Sequence, residues 1–124
     1  IAYWERAIIE RSLGPCLTHN DLHSNNILFT NRGFCVVDWG SASLGAPGAS
    51  LRVFAEMAKC DEVVNLYAAT RKRYGKPVDP RDVRFTMIAH QAMWALHTGY
   101  RQRIPDRMKR GYALMETLSK ENSQ

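Results

Sequence analysis

The hydrophobic positions of the chain follow two different spacings, which separate a short hairpin from a helical remainder. Residues 27–29 and 34–37 are brief runs of apolar, aromatic and β-branched residues, and the turn between them ends in Gly33. Such a pattern is typical of a β-hairpin. After residue 50 the apolar residues recur every three or four positions, which is the spacing of a helix. The pattern therefore predicts a mostly α-helical domain with one small β-hairpin.

Capping and helix-breaking residues mark where the predicted helices begin and end. Ser50, Asp61 and the pair Asp79-Pro80 are expected to open three of them, because short polar side chains bind the free N–H groups of a first turn. Residues 41–48 are predicted to form a loop. The predicted helices cover residues 2–13, 51–59, 61–74, 80–100 and 105–119.

Length and composition place the chain in the soluble globular class. It has 124 residues, of which 45% are hydrophobic, and no apolar run is long enough to cross a membrane. The three cysteines form no C-x-x-C pair and no signal segment is apparent, which favours reduced thiols in a cytoplasmic protein. We expect a single domain over residues 1–124 with no membrane partner. Because the chain starts at Ile1 in the middle of a helical pattern, we also expect it to be a fragment.

The basic excess does not indicate nucleic-acid binding. The formal net charge is +5, and the basic residues cluster around positions 71–76 and 101–110. These clusters lack the interleaved aromatic residues of single-strand binders and contain no known reader motif. We interpret them as solvated helix ends. A second interpretation is that some of these cations help to hold nucleotide phosphates.

Polar side chains stand at both ends of the predicted hairpin. Asp21 and Asn26 precede its first strand and Asp38 follows its second. Because a hairpin returns the chain, its two ends lie together, and the oxygens of Asn26 and Asp38 form a hard-oxygen site suited to Mg²⁺ with water and substrate phosphate. Asp21 is left as a base or as a residue that orients a nucleophile.

The order of these residues is similar to a known catalytic segment. Residues 19–28 read H-N-D-L-H-S-N-N-I-L, and residues 37–40 read V-D-W-G. They resemble the H-G-D-L-H-x-x-N-I-L segment and the I-D-W/F strand end of the aminoglycoside phosphotransferase and choline kinase superfamily, which has a protein-kinase-like fold. Three functional positions and the apolar residues between them agree with this pattern.

The resemblance implies a role for each polar residue of the segment. Asp21 is expected to take the proton of the acceptor hydroxyl, and Asn26 and Asp38 to bind Mg²⁺. His19 and His23 are expected to support the catalytic loop. The implied reaction is transfer of the γ-phosphoryl group of ATP to a hydroxyl group of a small molecule.

The fold implied by the resemblance is the C-terminal lobe of a kinase-like α+β protein. Its parts are the catalytic loop (17–28), the hairpin that carries the metal-binding aspartate (27–40) and the helical remainder (50–120). No Gly-rich phosphate loop and no strand with a phosphate-binding lysine occurs before residue 17. Those parts belong to the N-terminal lobe, which is expected to precede Ile1. The chain alone is expected to be inactive.

One segment departs from the superfamily pattern. Members commonly carry G-D-P-x-x-D-L, whereas residues 45–51 read G-A-P-G-A-S-L and lack both acidic residues. We expect these acids to support the loop rather than the chemistry. Their loss therefore affects the expected rigidity of the loop more than catalysis.

The acceptor pocket is expected on the long helix after the hairpin. Residues 85–105 contain no Asp or Glu, while Gln91, Trp94 and Tyr100 offer polar and aromatic surface. A polycationic aminoglycoside needs several carboxylates, so a neutral or anionic hydroxylated acceptor is favoured. For Trp94, a place in the core is an equally open interpretation.

Two other classes of function compete with the phosphotransferase. The first is a metal-dependent hydrolase, in which His19, Asp21 and His23 serve as ligands together with a further histidine, His90 or His97. The second is a non-catalytic kinase-like module that binds a partner through apolar surface near the hairpin.

Overall fold

The computed structural model describes Arg6 and residues 16–123, and in this part of the chain short strands are followed by three α-helices. The strands are β1 (Cys16–Thr18), β2 (Ile27–Thr30), β3 (Gly33–Val36) and β4 (Ser43–Gly45). The helices are α1 (Cys60–Arg73), α2 (Pro80–Gln102) and α3 (Pro105–Asn122). The predominance of helix is as predicted. The helix predicted over residues 2–13 lies, apart from Arg6, outside the described residues.

The strands form two small antiparallel sheets. Strands β2 and β3 form the predicted hairpin, with Ile27 opposite Val36, and Gly33 closes its turn with a φ of 120°. Strands β1 and β4 form the second sheet, with Leu17 opposite Leu44. The prediction that 41–48 is entirely loop was therefore wrong. Because β4 finds its partner far away along the chain, no local pattern indicates it.

Helices α2 and α3 carry most of the core. Helix α2 begins as predicted, since the Oδ1 of Asp79 accepts a hydrogen bond of 2.8 Å from the N–H of Arg81. The helices approach closely at Gly111, where an added Cβ would lie 2.7 Å from the Cγ of Leu96. No helix in the part of the chain described here has the length and apolarity needed to cross a bilayer. The buried core side chains are Ala46, Ala55, Val64, Val83, Phe85, Met87, Ile88, Ala89 and Leu118.

The segment that joins β4 to α1 differs from the prediction. It is a 3-10 helix over Ala49–Phe54 rather than an α-helix over 51–59, and Ser50 lies inside it instead of capping it. Gly48 precedes it with a φ of 94°, and an added Cβ there would lie 2.6 Å from the carbonyl oxygen of Val83 on α2. Close contact with α2 therefore fixes this segment in a conformation that local helix propensity does not favour.

The start of α1 also differs from the prediction. The helix begins at Cys60, and Lys59 in the capping position makes no side-chain cap. Asp61 lies in the first turn instead, where its negative charge still favours the positive end of the helix dipole.

Candidate active site

The catalytic loop between β1 and β2 brings the side chains of Asp21, His23 and Asn26 together. The amide nitrogen of Asn26 donates to the backbone carbonyl of Asp21 at 2.8 Å and lies 3.4 Å from its carboxylate Oδ2. The Nε2 atom of His23 lies 3.6 Å from the Oδ1 of Asp21. Asn26 is buried, whereas about half of the Asp21 side chain is exposed. The loop therefore presents the carboxylate of Asp21 from a buried amide support.

His19 fastens this loop to the hairpin. Its ring Nδ1 accepts a hydrogen bond of 3.2 Å from the backbone N–H of Asp21. In a neutral ring Nε2 then carries the proton, and this atom donates to the carbonyl oxygen of Val37 at 2.8 Å. His19 is 3% exposed. Both nitrogens of its ring are thus used to hold the backbone around Asp21.

Ser50 supplies a second fastening from the helical part of the chain. Its Oγ accepts a hydrogen bond of 2.8 Å from the backbone N–H of His19. Ser50 stands where the superfamily pattern has its second acidic residue, so a hydroxyl takes the place of the carboxylate expected to support the loop. The loop is anchored here although both acids are absent.

Asp38 lies at the other end of the hairpin. The N–H of Val37 donates to the carbonyl oxygen of Asn26 at 2.9 Å, so the backbone of Asp38 follows directly beside the start of β2. Asp38 has a φ of 62°, a left-handed conformation that Asp tolerates better than most residues. The next residue, Trp39, places its ring edge-on against His19 with a centroid distance of 4.7 Å. The hairpin thus brings the backbones of Asn26 and Asp38 to one end, as predicted.

The donor set at this end suits Mg²⁺. Asn26 binds Asp21 through its amide nitrogen, so its amide oxygen is the atom suited to a metal, and Asp38 adds a carboxylate. Mg²⁺ in phosphate-transferring sites is held by one or two such groups, with water and substrate phosphates as its other ligands. Within the described ranges, no three or more His, Cys, Asp or Glu residues are grouped so that they could hold a metal ion. The hydrolase alternative lacks its ligand set there.

A cavity of about 390 Å³ lies next to the catalytic loop. Asn20, which precedes Asp21, contributes to its wall, and Trp94 of α2 lines it as well. Asn20 is held with a φ of 66° by hydrogen bonds from its amide to Ser41 and Ser43. The volume falls in the range of small-molecule pockets, and the cavity is widely open to solvent. The lining residues are Asn20, Ala49, Arg52, His90, Met93, Trp94 and His97.

The other two predicted pocket residues occupy different places. Gln91 is buried behind the cavity wall, where its amide oxygen accepts from Arg52 at 3.3 Å and its amide nitrogen donates to Glu56 at 2.8 Å. The half-exposed Tyr100 is not among the lining residues, and its hydroxyl meets that of Tyr112 on α3. Of the predicted set, the structure places only Trp94 in the cavity wall.

Arg52 and Ser50 are the residues whose roles the sequence did not reveal. The guanidinium of Arg52 lies over the ring of Trp94, 4.6 Å from its centroid. Burial is the larger effect on the pKa of Arg52 and lowers it, while the nearby charge of Asp21 acts in the opposite direction. The signal that could have found Arg52 is its position as a lone cation between Leu51 and Val53, directly after the loop that departs from the superfamily pattern.

The two histidines that line the cavity, His90 and His97, are separate from the histidines of the loop. Burial, and secondarily the charge of Arg52, lower the pKa of His90, so its ring is neutral at neutral pH. Its buried Nε2 atom has no hydrogen-bond partner in the described portion of the chain. His97 lines the same cavity. Neither belongs to a cluster with His19, Asp21 and His23.

A comparison with protein families places these observations in context. The model of the Phosphotransferase enzyme family (APH) matches residues 1–86, which is more than half of the chain and includes the catalytic loop, the hairpin and Arg52. No curated protein and no solved structure gives a significant match. The match agrees with the motif in residues 19–40. The chain belongs to the phosphotransferase enzyme family, in the superfamily of the aminoglycoside phosphotransferases and choline kinases.

Proposed function

We propose that this protein transfers the γ-phosphoryl group of ATP to a hydroxyl group of a small molecule, and that the chain corresponds to the C-terminal lobe of a kinase-like phosphotransferase. The observation that carries the proposal is the placement of Asp21, because buried His19 and Asn26 hold its backbone on either side and its neighbour Asn20 lines a cavity of about 390 Å³. A base held beside a small-molecule pocket is the arrangement that phosphoryl transfer to an alcohol needs.

In this reaction Asp21 takes the proton of the acceptor hydroxyl as its oxygen attacks phosphorus. The backbone N–H of Asp21 is tied to His19 and its carbonyl to Asn26, which fixes the backbone from which the carboxylate projects. The amide nitrogen of Asn26, 3.4 Å from Oδ2, adds a contact to the carboxylate itself. The Nε2 of His23 lies 3.6 Å from the carboxylate, and its Nδ1 accepts a hydrogen bond of 3.3 Å from the N–H of Asn25, which holds the ring beside Asp21. The loop thereby positions the base before the acceptor binds.

The amide oxygen of Asn26 and the carboxylate of Asp38 would hold Mg²⁺. The ion supplies positive charge to the phosphates of ATP. Asn26 would serve both functions of the loop, since the nitrogen of its amide supports Asp21 and the oxygen would hold the metal. His19 links the two parts, because it bonds the backbone of Asp21 on one side and that of Val37, next to Asp38, on the other.

The exposed apolar side chains of the strands support the proposal that an N-terminal lobe packs on them in the complete protein. Phe29 is 85% exposed, Leu44 72% and Phe34 71%, which is unusual for side chains of this size. A lobe that clamps ATP would cover this surface. The same surface also favours the alternative, a non-catalytic module that binds a partner there. Measured turnover decides between the phosphotransferase and the binding module.

The test uses two variants of the complete protein with a set of alcohol acceptors. Asp21→Asn is expected to lower turnover by about 10²- to 10⁴-fold, because general-base catalysis is lost, while binding of Mg²⁺–ATP in calorimetry stays unchanged. Asp38→Ala is expected to abolish Mg²⁺-dependent nucleotide binding. Asp106→Asn, at an exposed position in the first turn of α3, is the matched control. Near-normal turnover of Asp21→Asn contradicts the proposal.

A further inference from the structure

The cavity beside the catalytic loop carries positive charge and no carboxylate. Its lining includes one arginine and two histidines but neither Asp nor Glu. A second arginine, Arg107 of α3, lies over the ring of Trp94 at 5.0 Å from its centroid. The face of Trp94 is thus already next to cations. An acceptor that brought several ammonium groups would meet repulsion from these cations, because no carboxylate of the described residues lines the cavity and the nearby carboxylate of Asp21 is assigned to the reacting hydroxyl.

The nearest acid on the helical side does not cancel this charge. Glu56 reaches Gln91, but Arg110 binds its carboxylate with two hydrogen bonds of 2.9 and 2.6 Å. The bond to Arg110 is the main cause that lowers the pKa of Glu56. Glu56 is therefore paired with Arg110 rather than with Arg52. The charge of Asp21 acts on Arg52 from nearby, but among the described residues no carboxylate forms a hydrogen bond with its guanidinium.

Arg52 also keeps most of its hydrogen-bonding capacity. A guanidinium has five N–H donors in a planar fork that matches a carboxylate or phosphate. Among the residues of the described part, its single side-chain hydrogen bond runs from Nη1 to Gln91 at 3.3 Å. That bond and the stacking on Trp94 hold the plane of the guanidinium, and the remaining donors are available to a ligand. The buried Nε2 of His90, in the same wall, offers a neutral hydrogen-bonding atom.

We infer that the acceptor is an anionic alcohol, a small hydroxylated molecule that carries a carboxylate or phosphate group, and that Arg52 is the residue that binds this group. The inference rests on the proposed phosphotransfer, and it narrows the neutral or anionic acceptors expected from the sequence. Asn20, the neighbour of Asp21, and Arg52 both line the cavity, and the charge of Asp21 acts on the guanidinium of Arg52, so the two groups are close. One molecule can therefore place its hydroxyl at Asp21 and its anionic group at Arg52.

The test measures ADP release by the complete protein with matched acceptors. D-glycerate and glycerol 3-phosphate are each compared with glycerol, D-gluconate with D-glucose, and kanamycin serves as the cationic acceptor. We expect at least one anionic acceptor to have a higher kcat/KM than its neutral counterpart and than kanamycin. The arms with glycerate and with glycerol 3-phosphate distinguish a carboxylate from a phosphate.

Variants of Arg52 connect this preference to the cavity. Arg52→Gln is expected to lower kcat/KM for the anionic acceptor by about 10- to 100-fold, as for a lost charge-assisted hydrogen bond, with the neutral acceptor and the KM for ATP unchanged. Arg52→Lys keeps the charge but not the fork, so an intermediate loss is expected. Circular dichroism shows whether Arg52→Gln is folded. If it is not, Arg52→Lys still measures how much the acceptor preference depends on the guanidinium. Arg101→Gln, at an exposed position of α2, is the control.

The outcomes separate the inference from the proposed function. If turnover depends on Asp21 but neutral or cationic acceptors are preferred, the inference is wrong and the phosphotransfer stands. The same holds if Arg52→Gln lowers kcat/KM equally for all acceptors. If no acceptor gives Asp21-dependent turnover, the proposed function fails. The anion site is then decided by fluorescence titration of the tryptophans with glycerate and glycerol 3-phosphate. Equal binding by wild type and Arg52→Gln, or no binding, overturns the inference.

Discussion

The hairpin half and the helical half of the described chain are stabilised in different ways. In the hairpin half, residues 16–45, large apolar side chains such as Phe29 point into solvent, and hydrogen bonds between strands hold the structure. In the helical half, residues 49–122, Met87 and Leu118 are almost fully buried and the helices are in close contact. One half therefore depends on backbone pairing and the other on packing.

The candidate catalytic residues belong to the half that is packed less well. Polar contacts compensate for this, since His19 and Asn26 hold the loop and Ser50 joins it to the helical half. The comparison indicates that stability and catalytic geometry are separable here. Removing side chains from the helical core should lower the stability of the fold. Removing the Ser50–His19 hydrogen bond, which we call the junction between the two halves, should mainly lower turnover.

The largest expected effect on stability lies in the helical core. Leu118→Ala removes a leucine that is 1% exposed and is expected to lower the free energy of unfolding by about 2–5 kcal/mol. Urea denaturation measures this loss, and turnover per folded molecule should not change. Leu66→Ala, at an exposed leucine of α1, is the control and is expected to have little effect. If Leu118→Ala lowered the unfolding free energy as little as Leu66→Ala, the helical half would not depend on core packing as we infer.

An intermediate effect on stability is expected at the junction. Ser50→Ala removes the acceptor of the His19 N–H and is expected to cost about 0.5–1.5 kcal/mol of unfolding free energy. Turnover should fall by more, about tenfold, because the loop that positions Asp21 loses its link to the helical half. Steady-state kinetics and thermal melting measure the two effects together.

Two further variants sharpen the Ser50 test. Ser50→Asp restores the acidic residue of the superfamily pattern and is expected to keep the link to His19. Ser119→Ala, at an exposed position of α3, controls for the loss of a hydroxyl. Unchanged turnover in Ser50→Ala would show that the junction does not position the base.

The smallest effect is expected on the exposed hairpin surface. Phe29→Ser is expected to change the stability of this chain by at most about 0.5 kcal/mol, because Phe29 is 85% exposed. Phe85→Ser, in the core of α2, is the matched comparison and is expected to be strongly destabilising. Chemical denaturation of both variants gives the contrast. If a further lobe covers the hairpin in the complete protein, Phe29→Ser should become destabilising there.

Much of the hairpin and of the site could be predicted from the sequence because the information is local. The hairpin follows from two short apolar runs and a glycine turn, and the start of α2 from Asp79 and Pro80. The candidate base and metal ligands stand within one segment of the motif. The end of a hairpin necessarily meets its beginning, so the backbones of Asn26 and Asp38 are adjacent without reference to the rest of the molecule.

The sequence by itself thus determined the helical class, the hairpin and the candidate catalytic motif. Only the tertiary structure decided that β4 pairs with β1, that Ser50 supports His19 rather than capping a helix, and that Arg52 rather than Tyr100 lines the cavity with Trp94. These features join residues 25 or more positions apart, such as Thr18 with Ser43. Local periodicity and capping preferences carry no information about such contacts, because they are set by which surfaces pack together when the chain folds.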